Sequence, residues 1–244
     1  MSEKIVNVFN AFNIEFWGKL ALFCPPELRS EPYSYRIPTY AAIRNMLEAI
    51  YWHPTASWVV ERVAVMNEPA YVSMAQNCVN KRMNAEDLMK NPLSVAFYRE
   101  GSDYHTLRNT VYLSDVRYEV TARILHIPQE GETPEEIQAQ NCKVWHIVNN
   151  RLKSGGAYRT PYFGRSECQA DFRKAEAGPY MSKSDLGDED FGFMYFDRDY
   201  NSNDGQFPLV AHVTMENGVI DYGKILREMR KEYPEYVRSI SPVI

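Results

Sequence analysis

The chain has 244 residues, 45% of them hydrophobic and 24% charged, with a formal net charge of −5. This is the composition of a soluble fold with a sizeable core; no run approaches the ~18 apolar residues of a transmembrane helix, and the start MSEKIVNVFNAF lacks a secretory h-region. The four cysteines (24, 78, 142 and 168) form no CxxC pair and fit no zinc module, which predicts reduced thiols in a cytoplasmic protein.

Phe12–Phe23 is apolar and aromatic, broken only by Gly18, and predicts a strand with a bulge. Prolines 25, 26 and 32 mark a loop. Thr39 then stands as an N-cap, and Ile43, Met46, Leu47, Ile50 and Tyr51 recur at i, i+3, i+4, i+7 and i+8, the buried face of a helix. Arg44 and Glu48 pair on its other side, and Pro54 stops it. Trp58–Met66 is a valine-rich strand. Residues 67–105 carry no regular pattern and predict an excursion or a mobile lobe. Tyr112–Leu125 ends in alternating Val116, Tyr118, Val120, Ala122 and Ile124, a half-buried strand.

Thr133-Pro134-Glu135-Glu136 is a capping box with proline at the first helical position, and the helix it opens runs to about Lys153, ending at Gly155-Gly156. Short β-like runs follow at 162–172, 191–200 and 207–216, and Asn217-Gly218 is a hairpin turn. The order strand, helix, strand, excursion, strand, helix, strand predicts an α+β fold. Its pattern is ferredoxin-like (RNA-recognition-type), with a small C-terminal antiparallel β-sheet domain. The predicted division is 1–172 and 173–244, the latter including a C-terminal tail. Unrelated functions share this fold, so it decides nothing about activity.

Charge is unevenly spread. Lys143–Lys174 holds seven Lys/Arg against two acids, a balance of +5, whereas Glu176–Glu216 holds nine acids against two bases, −7. Within the second helix, Val144, Val148 and Leu152 form a buried stripe, while Lys143 and His146 share another face, with Asn150 one turn on. After the helix, Gly155, Gly156, Arg159, Gly164 and Arg165 alternate with Tyr158, Tyr162 and Phe163. Glycine amides and arginines suit phosphate, and aromatics suit bases. No HxxxH, HExxH, DxDxDG, GxSxG or GxxxxGK[ST] motif occurs, so no metal ligand or cofactor is expected. RNA cleavage needs neither: the RNA supplies its 2′-OH as nucleophile, and Tyr, Lys and His are suitable groups for moving protons and stabilising the phosphorane.

The chain resembles the type I-C CRISPR-associated proteins of Cas family five. The resemblance rests on FNIEFWGKLALF with PPEL after it, YSYRIPTYAAIRNMLEAIYWHP, TLRNTVYLSDVRYEVTA, RLKSGGAYRTPYFGRSECQADF, FGFMYFDRD and VTMENGVI, and covers most of residues 12–220. It implies a metal-independent endoribonuclease that cuts CRISPR repeat RNA, leaves a 2′,3′-cyclic phosphate, and stays on the crRNA 5′ handle in a Cascade complex with backbone and large subunits. The catalytic tyrosine it implies is Tyr51, and the catalytic lysine Lys143. The family usually places His or Tyr directly after that lysine, where this sequence has Val144. His146 and His53 are the candidates for the missing proton donor. Expected RNA contacts are His53, Arg44, Lys153, Gly155, Gly156, Arg159 and Arg165. The alternative is a subunit that binds the handle and cuts weakly or not at all.

Overall fold

Phe12, Ile14 and Phe16 alternate along β1 (Phe12–Ala21) and are buried on one face of the sheet, while Asn13, Glu15 and Trp17 occupy the other. A computed structural model describes residues 11–28, 30–79, 85–90, 105–175, 186–199 and 207–240. After β1 come α1 (Tyr40–Ile50), β2 (Ala56–Val65), β3 (Ala70–Val79), α2 (Ala85–Lys90), β4 (His105–His126) and α3 (Pro134–Ser154). The chain continues through β5 (Asp171–Lys174), β6 (Glu189–Asp199), β7 (Phe207–Glu216), β8 (Val219–Asp221), α4 (Tyr222–Glu232) and α5 (Pro234–Ile240). The eight strands form one antiparallel sheet in the order β5-β1-β4-β2-β8-β7-β6, with β3 also on β4.

The helix signals hold at their predicted ends. The Thr39 hydroxyl accepts from the Ala42 amide, and Ile43, Met46, Leu47, Ile50 and Tyr51 are all buried. Both arms of the Thr133–Glu136 capping box are present. Asn217 and Gly218 have φ of 50° and 76°, the left-handed pair that a tight hairpin turn between β7 and β8 requires.

Three expectations change. Gly18 makes no bulge: the register from Gly18↔Val116 to Leu20↔Ser114 is unbroken, and the irregularity falls in β2 between Val60 and Arg62. A Cβ on Gly18 would lie 2.7 Å from the Gln169 carbonyl oxygen and 2.9 Å from Phe163, so the glycine admits the 161–170 loop against the strand. The region 67–105 is not patternless throughout. β3 pairs with the first half of the 22-residue β4, from Ala70↔Ser114 to Val79↔His105, before β4 turns at Asp115 (φ 51°) and enters the sheet between β1 and β2. Residues 80–84 and 91–104 of that excursion lie outside the described residues.

The third change is at the C-terminus. The strands expected there as a separate small sheet continue the main one, because β8 pairs with β2 (Val63↔Ile220) and covers an edge that would otherwise be open. The expected boundary at 172 falls inside β5. What was read as a tail is two helices. α4 buries Tyr222, Ile225, Leu226 and Met229, and α5 buries Tyr236, Val237 and Ile240.

α5 is held by charge as well as packing. Asp197 on β6 accepts from Arg44 of α1 through both oxygens (2.6 and 3.2 Å), and one of those oxygens also accepts the Tyr236 hydroxyl at 2.5 Å. Tyr40 stacks on Phe196 beside this group, 4.5 Å between ring centres.

Candidate functional site

Every helix ends with carbonyls that have no partner inside it. At the end of α1 these carbonyls are satisfied by α3 and the loop after it. Tyr51 is the C-cap, in an extended conformation (φ −148°, ψ 124°), and its amide donates to Leu47. The Ala49 carbonyl accepts from the amides of Tyr158 (2.9 Å) and Arg159 (3.1 Å). The Ile50 carbonyl accepts from Arg151 Nη1 at 2.5 Å, and the Tyr51 carbonyl accepts from Trp58 Nε1 at 2.9 Å. A cation at a helix C-terminus also complements the helix dipole. The same Arg151 guanidinium lies 5.2 Å from the centre of the Tyr51 ring. The helix therefore ends at Ile50, before Pro54, and its last carbonyls stitch Tyr51 to the basic segment.

Tyr51 is 8% exposed, so its ring sits at the edge of the core. Trp52, the next residue of the extended chain, is 58% exposed and turns outward. His53 is exposed, with Nδ1 2.9 Å from the Thr55 hydroxyl. On α3, Val144, Val148 and Leu152 are buried as predicted, whereas Lys143 and His146 are both exposed. The apolar residue after Lys143 therefore faces the core, and the imidazole one turn on stands on the solvent side. Trp145 between them stacks on Phe12 with ring centres 5.5 Å apart and meets His146 edge-on at 5.2 Å, fixing the rotation of α3 on β1. Lys143 is eight residues before Arg151, about 12 Å along the helix axis.

The expected RNA contacts divide. Lys153 and Arg159 are exposed, Arg159 over the Tyr162 ring at 5.9 Å. Arg165 is partly exposed, 3.9 Å from Glu167. Arg44 is a different case: its side chain is 13% exposed and is held by Asp197, with Glu48 3.5 Å away, which gives it a structural place in the core. Gly155 and Gly156 also differ from expectation. Gly155 is the left-handed C-cap of α3 (φ 67°), and the amides of both glycines donate to the Arg151 carbonyl, so neither is free for phosphate. Burial pushes the Glu48 carboxyl above the ordinary carboxylate range, with Arg44 and Arg159 pulling the other way.

The sequence reading missed Arg151, which it counted only as charge, together with Trp52, whereas Tyr158 stood among the aromatics it read as suited to bases. For Trp52, an aromatic directly after the implied catalytic tyrosine was the available signal. Among the described residues, no group of three or more His, Cys, Asp or Glu could hold a metal ion, and the four cysteines are free. No helix among them is long and apolar enough to cross a membrane.

Comparison with known proteins gives a consistent answer. The family described as CRISPR-associated protein (Cas_Cas5) matches residues 12–223. Among curated proteins, the chain is similar to the CRISPR pre-crRNA endoribonuclease Cas5d of Mannheimia succiniciproducens (26% identical, over 87% of this chain and 94% of the relative). It is also similar to the protein of the same name from Thermus thermophilus (30% identical, over 79% of this chain and 75% of the relative). Two solved structures share the fold. One is a CRISPR-associated protein (21% identical, TM-score 0.63, covering 86% of this chain and 90% of that one). The other is a functionally uncharacterized protein from Streptococcus mutans (23% identical, TM-score 0.61, covering 88% and 94%).

Proposed function

The chain belongs to the Cas5 family of CRISPR-associated proteins, and on that premise we propose that it is an endoribonuclease that processes precursor crRNA and then remains on the product as a subunit of a cytoplasmic, Cascade-type interference complex. The observation that carries the catalytic part is the junction of α1 and α3. Arg151 ties the helix end bearing Tyr51 to the helix that presents Lys143 and His146 to solvent. The strand order β5-β1-β4-β2, with α1 and α3 as its two crossovers, supports a ferredoxin-like core for this site. The +5 balance of Lys143–Lys174 supports a polyanionic substrate.

The chemistry follows from the groups. Tyr51 orients the 2′-OH for attack, and the proton of that hydroxyl passes to solvent as its bond to phosphorus forms. The 2′-oxygen attacks the adjacent phosphorus, the Lys143 ammonium stabilises the charge of the phosphorane, and the bond to the 5′-oxygen breaks as His146 gives that oxygen a proton. The products are a 2′,3′-cyclic phosphate and a free 5′-hydroxyl, and the protein atoms need no metal for any of these steps. DNA is not a substrate by this route because it lacks the 2′-OH.

A second reading is favoured by one observation: Val144 is apolar and 6% exposed where the resemblance implies a His or Tyr. In that reading the protein holds the crRNA handle and its other subunits without cutting. The test is incubation of the purified protein with its own repeat RNA in EDTA. The expected result is one discrete cut, lost in Tyr51→Phe and in Lys143→Ala and blocked by a 2′-deoxy at the scissile nucleotide. Binding without a cut selects the second reading.

A further inference from the structure

We infer that Trp52 and Tyr158 are base-stacking residues, which hold unpaired nucleotides of the RNA beside the scissile phosphate and so set where it is cut. This deepens the proposed function and rests on the placement of the reacting group at Tyr51. Trp52 is 58% exposed and Tyr158 is 76% exposed, among the most exposed large apolar side chains in the described residues. Both are anchored through their backbones to the same helix end. Trp52 follows the C-cap of α1 directly, and the Tyr158 amide donates to the Ala49 carbonyl at 2.9 Å. The two residues thus leave the same helix end, Trp52 one residue after Tyr51 and Tyr158 bonded to the carbonyl two residues before it.

Basic residues accompany the pair along the chain. Arg159 shares the Ala49 carbonyl with Tyr158, Arg151 sits over Tyr51, and His53 and Lys153 are exposed nearby in the chain. Exposed aromatic faces alternating with positive charge are what single-stranded nucleic acid requires, because every base has a π-face and every nucleotide a phosphate. Other exposed aromatics are already paired with a ring. Tyr33 and Tyr71 lie against each other with ring centres 5.1 Å apart, and Phe193 lies against His212 at 5.4 Å on β6 and β7. The occupant is therefore a single-stranded segment of the repeat, not its double-stranded stem, whose stacked bases present no face.

The test uses the full chain and its repeat RNA with a 2′-deoxy at the scissile nucleotide, so that binding is read without cleavage. Trp52→Ala and Tyr158→Ala each weaken the Kd by roughly 5- to 150-fold, the range of one lost base stack. Trp52→Phe and Tyr158→Phe restore most of it, and all four variants keep the wild-type melting temperature because the rings are exposed. An abasic nucleotide at the contacted position removes the difference between wild type and the alanine variant. Unchanged affinity in both alanine variants, or losses that phenylalanine does not restore, would overturn the inference. A wild-type protein that leaves the all-ribose repeat uncut, with both alanine variants weakened on the 2′-deoxy RNA, retires the nuclease reading and keeps the base-stacking role. A wild-type protein that does not bind the repeat sinks both.

Discussion

The guanidinium of Arg151 lies 5.2 Å from the centre of the Tyr51 ring and donates to the Ile50 carbonyl at 2.5 Å. One side chain of α3 thus fixes both the end of α1 and the face of the phenol that α1 presents. A ring that is 8% exposed has little room to reorient, so small changes at Arg151 reach the chemistry through Tyr51.

Arg151→Ala should therefore lower the single-turnover cleavage rate by about 100-fold, the scale of a misplaced reacting group, while changing the RNA Kd by less than about tenfold. Arg151→Lys should not restore the rate, because an ammonium lacks the planar fork that serves the carbonyl and the ring together. Equal losses in rate and affinity would mean that Arg151 acts only by touching RNA.

Lys143→Ala and His146→Ala test the two exposed groups of α3 separately. Each should slow cleavage by about 100- to 10,000-fold if it handles charge or a proton in the transition state. Lys143→Arg should retain part of the rate, since charge is what the phosphorane requires. Cleavage unchanged in His146→Ala rules that imidazole out as the acid, and His53→Ala becomes the next variant to measure.

The Arg44–Asp197–Tyr236 group predicts a stability effect with no catalytic content. Asp197→Ala leaves a 13% exposed guanidinium without its bidentate partner, and urea unfolding should show a loss of about 3–5 kcal/mol. Tyr236→Phe removes a single hydrogen bond to the same carboxylate and should cost about 1.5–3 kcal/mol. A small loss in Asp197→Ala would place the stability of the α1–α5 contact in apolar packing instead.

Glu15 predicts a pH dependence. Burial would raise its carboxyl pKa, but hydrogen bonds and charge from Arg173 and Arg117 outweigh that and hold it below the ordinary 4.5. A depressed folded pKa stabilises the fold above the unfolded value, and the contribution disappears as the pH falls through the folded one. Glu15→Gln should thus be less stable than wild type at neutral pH by about 1–2 kcal/mol, a figure reduced because both arginines are substantially exposed. The two proteins should converge below pH 4.5. Parallel stability curves across that range would show that the ion pairs contribute nothing.

How much of this was legible beforehand varied with the kind of signal. The caps at Thr39 and Thr133, the apolar faces of α1 and α3, and the Asn217-Gly218 turn are local patterns, and each formed where its residues stand. β3 escaped notice because both of its faces are largely exposed, so no alternation marks it. The helices α4 and α5 had readable periodicity in Tyr222, Ile225, Leu226 and Met229, and treating the segment as a tail hid it. Arg44 read as an available cation because its partner Asp197 is 153 residues away in the chain. Gly155 and Gly156 read as phosphate ligands because nothing local reveals that their amides are already used by Arg151.

By itself, the sequence determined the ends of the two crossover helices, which residues face the core, and the motif set that marks the Cas5 family, since these depend on spacings of a few residues. Tertiary structure alone decided which basic side chains are exposed, because burial and ion pairing join distant segments: it consumed Arg44 and left Lys143, His146, Lys153 and Arg159 in solvent. It also turned Arg151 from one charge among seven into the residue that holds Tyr51, because only folding brings the end of α3 against the unsatisfied carbonyls of α1.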